Sequence, residues 1–104
     1  MENREYTVTV LTENKIGVLN RITAIYLRHK INMEGVRVMA TQVPGVSMIT
    51  ISSYGEEAVM ERIVKQLRRI VEVFDSRYKA VESITPENIY GEILSGLEEG
   101  SDIR

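Results

Sequence analysis

Few residues of this chain could do chemistry. The most suggestive group lies early, in Leu11-Thr12-Glu13-Asn14-Lys15-Ile16-Gly17-Val18-Leu19. An alternating run, Tyr6 to Val10, precedes it, and a helical pattern begins at Gly17. A strand therefore ends, a short polar loop turns, and a helix opens at a glycine. Free N–H groups at a helix start can hold a carboxylate, and glycine lets a ligand approach closely. Asn14 adds an amide that accepts from an ammonium or donates to a carboxylate. This is the chemistry of half a small-molecule site. A routine strand-to-helix connection has the same residues, so taken alone the loop supports both readings. Asn32 is open in the same way, because an asparagine after a helix is often only a left-handed cap.

Bond-making chemistry finds less support. The single histidine, His29, has no cysteine to pair with and no second histidine for a metal site, so it reads as structural or solvated. Glu56-Glu57 and Glu98-Glu99 are adjacent pairs that point different ways, which suits dipole partners better than an acid–base couple. Neither G-x-G-x-x-G nor G-x-x-x-x-G-K occurs. The absence of cysteine removes disulfides, thiol nucleophiles and iron–sulfur clusters.

Composition narrows the class further. The 104 residues fit one domain, and a chain this short buries only about 60% of its unfolded surface, so self-association is a natural way to bury more. A hydrophobic content of 43% with 27% charged residues is that of a soluble globular protein. The net charge of -2 argues against general nucleic-acid binding. The charged start, Met1-Glu2-Asn3-Arg4-Glu5, lacks the apolar core of a signal peptide, and no apolar run reaches the ~20 residues of a membrane span. A cytoplasmic protein that binds neither membrane nor nucleic acid is expected.

The elements that must position the loop follow from periodicity. Tyr6, Val8 and Val10 alternate with Thr7, Thr9 and Leu11, a strand. Val18, Leu19, Ile22, Ile25 and Tyr26, with His29 as a further candidate, recur at helical spacing, which predicts a helix of roughly 13 residues. Ile31 to Gly35 breaks it, and a second strand is expected over roughly Val36 to Val43. Val43-Pro44-Gly45-Val46 predicts a type II turn into a third strand, Val46 to Tyr54. A second helix opens at Gly55-Glu56-Glu57, with Val59, Ile63, Leu67 and Ile70 as its stripe, and a fourth strand is expected from about Val71 to Val81. The order β-α-β-β-α-β gives an α+β, ferredoxin-like antiparallel sheet of four strands with both helices on one face. RNA-recognition modules share that order, but the basic-aromatic cluster they need is missing from Val46 to Tyr54.

The last part differs. Thr85 and Pro86 read as a helix start, and Ile89, Tyr90, Ile93, Leu94 and Leu97 form an apolar stripe ended by Gly100. A domain over 1–80 with a short helical tail over 81–104 is expected, the stripe needing cover from this domain, a second copy or a partner.

Taken together, these residues resemble a known family. Leu11 to Arg21 is similar to the first strand, loop and helix of an ACT domain. Ile31-Asn32-Met33-Glu34-Gly35-Val36 resembles the entry to the second strand in regulatory small subunits of acetolactate (acetohydroxyacid) synthase. Met48 to Ile51 and Met60 to Val73 are similar to the same subunits, and the likeness spans Tyr6 to Tyr78. The resemblance implies a non-catalytic subunit that senses a branched-chain amino acid, chiefly valine, and activates or feedback-inhibits a catalytic large subunit. Thiamine diphosphate, FAD and magnesium would belong to that large subunit, with no cofactor in this chain. It further implies a homodimer of side-by-side sheets with effector sites at the interface. Asn14, Ile16, Gly17, Val18 and Leu19 would come from one protomer, and Asn32 and Met33 from the other. Many members continue into a second domain, whereas this chain ends with a short helix, and Lys15-Ile16 stands where smaller or more polar residues are common. A stand-alone ACT sensor, or a structural dimerisation module for another enzyme, is the competing expectation.

Overall fold

The computed structural model describes residues 3–81. Strand β1 (Arg4–Glu13) lies inside the sheet, and its alternation buries Tyr6, Val8, Val10 and Thr12 on one face. Strand β3 (Val46–Gly55) runs antiparallel along its whole length, from Arg4 opposite Gly55 to Glu13 opposite Val46. Strand β2 (Gly35–Ala40) pairs with the far side of β3, and β4 (Val73–Ala80) with the far side of β1. The order β2-β3-β1-β4 is the ferredoxin-like arrangement expected from the sequence. Helices α1 (Val18–Arg28) and α2 (Glu57–Arg68) cover one face. Among the described residues, no element covers the other face.

The core lies between sheet and helices. Val18, Ile22, Ile25 and Tyr26 of α1 and Met60, Ile63, Val64 and Leu67 of α2 meet Val8, Val10, Ile49 and Ile51 of the strands. Burying a side chain of this kind is worth about 1.5–3 kcal/mol, which is why the helical spacing was legible. Of the expected stripe of α2, Ile63 and Leu67 are buried but Val59 and Ile70 only half-buried, and Met60 and Val64 take the deeper places beside them.

Element ends differ from expectation for local reasons. Helix α1 has 11 residues and closes in a Schellman arrangement. Ile31 N–H donates to the Tyr26 carbonyl at 3.0 Å and Lys30 N–H to that of Leu27 at 2.9 Å. Lys30, at φ +58°, fills the left-handed position usually given to glycine, so that role does not fall to Asn32. Strand β2 stops at Ala40 because Thr41 takes over its own neighbourhood. Its hydroxyl donates to the Val46 carbonyl at 2.9 Å and accepts from Val43 N–H at 3.1 Å. The turn then follows expectation, with Gly45 at φ +81° and Val46 N–H on the Val43 carbonyl at 3.1 Å. Strand β4 starts at Val73 because Val71 and Glu72 belong to a turn. The Glu72 carbonyl there accepts Glu13 N–H and the Thr12 hydroxyl, at 2.9 and 3.0 Å. The expected tail helix lies outside the described residues.

Among the described residues, no helix is long and apolar enough to cross a membrane, and no group of His, Asp and Glu could hold a metal ion.

Candidate functional site

The loop between β1 and α1 is built by its backbone. Asn14 N–H donates to the Gly45 carbonyl at 2.8 Å, which ties the loop to the β2–β3 turn. Lys15 N–H donates back to Glu13 at 2.9 Å, and Gly17 then takes φ +97° to swing the chain into α1. A side chain at that φ is strained, so glycine is required here. No side chain caps α1, and no acidic residue occupies its first turn. Among the described residues, the Leu19 and Asn20 amides find no acceptor. The first bond of the helical i to i−4 ladder is Arg21 N–H to the Gly17 carbonyl, at 3.1 Å.

Leu19 borders a groove of about 220 Å³. Asn14, Ile16, Gly17, Val18 and Leu19 all line it, so this chain by itself brings together five of the seven residues singled out above. Its floor is Thr12, Val18, Ser47 and Ile49, all buried, and Val38 of the edge strand forms a wall. Ile16 is fully exposed at the rim, so the apolar contact within this chain comes from Ile49, Val18 and Val38. Sequence reasoning missed Val38, Ser47 and Ile49. The register could have found them, because Ser47 lies opposite Thr12 and Val38 opposite Ile49.

Asn32 and Met33 stand elsewhere in the chain. They precede β2, whose first residue pairs with Ser52, near the opposite end of the sheet from Asn14. The Asn32 amide donates to Glu34 at 3.1 Å, and Met33 packs half-buried against the chain's own core. His29 is half-buried and 3.2 Å from the Gln66 amide oxygen, a structural contact.

The electrostatics suit a small zwitterion. Helix-start amides and the positive end of the α1 dipole favour a carboxylate. Glu13, 3.4 Å from the Lys15 ammonium, and the exposed Asn14 amide supply oxygens for an ammonium. Behind the groove, Arg21 of α1 meets Glu72 at 2.6 Å and locks the helix start to the turn that holds the end of β1. That hydrogen-bonded guanidinium, with a backbone hydrogen bond, holds the Glu72 carboxyl below its usual range. The groove volume is less than the 300–1,000 Å³ of a typical small-molecule pocket.

Comparison with known proteins settles the family. The AHAS small subunit-like ACT domain matches residues 8–75. The chain belongs to this family. A probable acetolactate synthase small subunit of Methanothermobacter thermautotrophicus is 34% identical over 77 residues, 74% of this chain and 46% of its own length. A second, from Archaeoglobus fulgidus, is 33% identical over 89 residues, covering 86% of this chain and 53% of the relative. The crystal structure of the acetolactate synthase small subunit of Thermotoga maritima superposes with a TM-score of 0.64 at 30% identity, over 81% of this chain and 50% of that one. This ACT domain therefore spans about half the length of the relatives it matches. The family match covers the loop, the groove, both helices, β2 and β3, with parts of β1 and β4.

Proposed function

We propose that this ACT domain is the sensory part of a regulatory, non-catalytic subunit of acetolactate synthase. It binds a branched-chain amino acid, valine foremost, and tunes a thiamine-diphosphate-dependent large subunit up or down in response. The observation that carries this is the groove at the start of α1, with unpaired amides beside Gly17 and an apolar floor of Val18 and Ile49, in a chain of this family. The α-carboxylate sits on the Leu19 and Asn20 amides, the ammonium faces Asn14 and Glu13, and the side chain meets Ile49 and Val38. One methylene is worth only about 1–3 kcal/mol in such a pocket, so discrimination among valine, leucine and isoleucine is graded.

The other half of the site comes from a second copy. Strand β2 is an edge with every residue after Gly35 exposed, and Val36 and Val38 stand uncovered on the helix side. An apolar edge of this kind is a template for pairing. If β2 pairs antiparallel with its copy about a twofold axis, the start of one β2 comes beside the end of the other. Asn32 and Met33 of the copy then arrive next to Val38 and the groove. Six residues of strand span about 20 Å, the separation that the twofold must bridge.

The test is functional reconstitution. The chain is mixed with an acetolactate synthase large subunit from the same genome, and acetolactate formation is followed with and without valine. Co-elution and a valine-dependent change in rate are expected. A stable dimer that neither binds the large subunit nor changes its rate would leave the chain a sensor for another enzyme, and the assignment would fall.

A further inference from the structure

Helices α1 and α2 lie side by side over the sheet, and two contacts fix their alignment. Arg21 meets Glu72 just beyond the end of α2, and the His29 ring lies 3.2 Å from the Gln66 amide oxygen. The helices therefore run in opposite directions, with the start of α1 beside the end of α2. Between the two contacts lies a cleft of about 490 Å³. Arg21, Ala24 and Arg28, three and four residues apart on one face of α1, border it, and Gln66 and Arg69 border it from α2. Buried Ile25 and half-buried Ile70 form its floor.

The charge of this cleft is unbalanced. No acidic residue lines it, and α1 carries none between Val18 and Arg28. Of its three guanidiniums, only that of Arg21 has a carboxylate, Glu72; among the described residues, Arg28 and Arg69 have none. Arg68, next to Arg69 in sequence, turns elsewhere, to Asp75 and the Ser76 carbonyl. Glu57, at the far end of α2, accepts from the Tyr78 hydroxyl at 2.9 Å. The cleft thus holds a local surplus of two positive charges, in a chain whose net charge is -2. Arg21 and Arg28 are about 10 Å apart along the helix axis, and the alignment puts Arg69 across from the middle. The short Ala24 between them keeps the space open.

We propose that this cleft binds a small organic phosphate. A phosphate monoester carries about -1.5 to -2 charges at neutral pH, which matches the surplus. Guanidinium forks pair bidentately with phosphate and are weakly hydrated, so arginine rather than lysine at all three positions suits this ligand. The volume falls within the 300–1,000 Å³ of small-molecule pockets, and the isoleucine floor receives the organic part. A protein partner engages about 20–30 residues a side, whereas seven line this cleft. The cleft is separate from the groove at the start of α1, since the two share no lining residue. Arg21 nevertheless links them. An anion that draws it from Glu72 loosens the contact joining the start of α1 to the end of β1.

The test is a titration of the isotope-labelled full-length chain with phenyl phosphate at about 0.15 M salt, followed by backbone amide shifts. Saturable shifts centred on Ala24, Arg28, Gln66 and Arg69 are expected. Inorganic phosphate should bind more weakly, because it leaves the isoleucine floor unused. Arg28→Gln combined with Arg69→Gln, both at exposed positions, should keep the fold by circular dichroism and weaken binding roughly tenfold or more. Neither valine nor a large subunit enters the measurement, so its result is independent of the amino-acid reading. Shifts centred on Gly17 to Asn20 would overturn the proposal, because they would place the anion at the start of α1. So would a response that does not saturate, equal binding of inorganic phosphate, or an unchanged affinity in the double variant. A hexaglutamate peptide that binds as tightly as phenyl phosphate would also overturn it, and would give the cleft to an acidic protein segment.

Discussion

At the scale of single residues, two side chains hold unusual positions with measurable consequences. Lys30 occupies a left-handed backbone conformation at φ +58°, which costs a non-glycine residue roughly 1–2 kcal/mol. Lys30→Gly is therefore expected to raise stability by about 1 kcal/mol in chemical denaturation, with the Schellman bonds kept. Glu72 is held ionised by Arg21, and its carboxyl lies below the ordinary range. A depressed carboxylate stabilises the fold above its unfolded pKa and loses that contribution as pH falls through the lowered folded value. Arg21→Ala should move the Glu72 carboxyl upward in a carboxyl-detected NMR titration. The stability gap between the two proteins should be widest near neutrality and close in acid. A third residue, Tyr26, is buried with a hydroxyl that finds no partner among the described residues, and burial pushes its ionisation up. Tyr26→Phe removes an uncompensated polar atom and should stabilise the domain by about 1 kcal/mol in thermal unfolding.

At the scale of elements, periodicity reached further than boundaries did. Strand alternation and helical spacing gave the six elements and their order because each buries one face, and burial dominates the energetics. Strand and helix ends were not legible in the same way. Thr41, Lys30 and Glu72 end their elements through single side-chain or backbone hydrogen bonds, which leave no periodic trace. The bulge that exposes Phe74 hid for the same reason, since alternation alone made β4 longer and more regular than it is. The candidate site was half legible. Asn14 to Leu19 are contiguous, so the loop announced itself, whereas Val38, Ser47 and Ile49 enter only through the pairing register. Strand β2 carries the prediction at this scale. Val38→Lys places a charge on the exposed apolar edge and should shift the protein from dimer to monomer in light scattering, while circular dichroism stays unchanged.

At the scale of the whole molecule, the architecture separates tasks. One face of the sheet is spent on the two-helix core, one edge offers an apolar strand for pairing, and the corner between them holds the uncapped start of α1. In the proposed function, a ligand bound there would touch both the loop and the edge strand, so binding and pairing would draw on the same groups. Coupling of this kind lets a small molecule report through the assembly rather than through chemistry. Isothermal titration of the dimer with valine tests this most directly, with Asn14→Ala run alongside. The account predicts saturable heat with valine, graded responses to leucine and isoleucine, and an affinity loss of about 1–3 kcal/mol in the variant. A folded dimer that gives no heat with any of the three, or an unchanged affinity in Asn14→Ala, would contradict it.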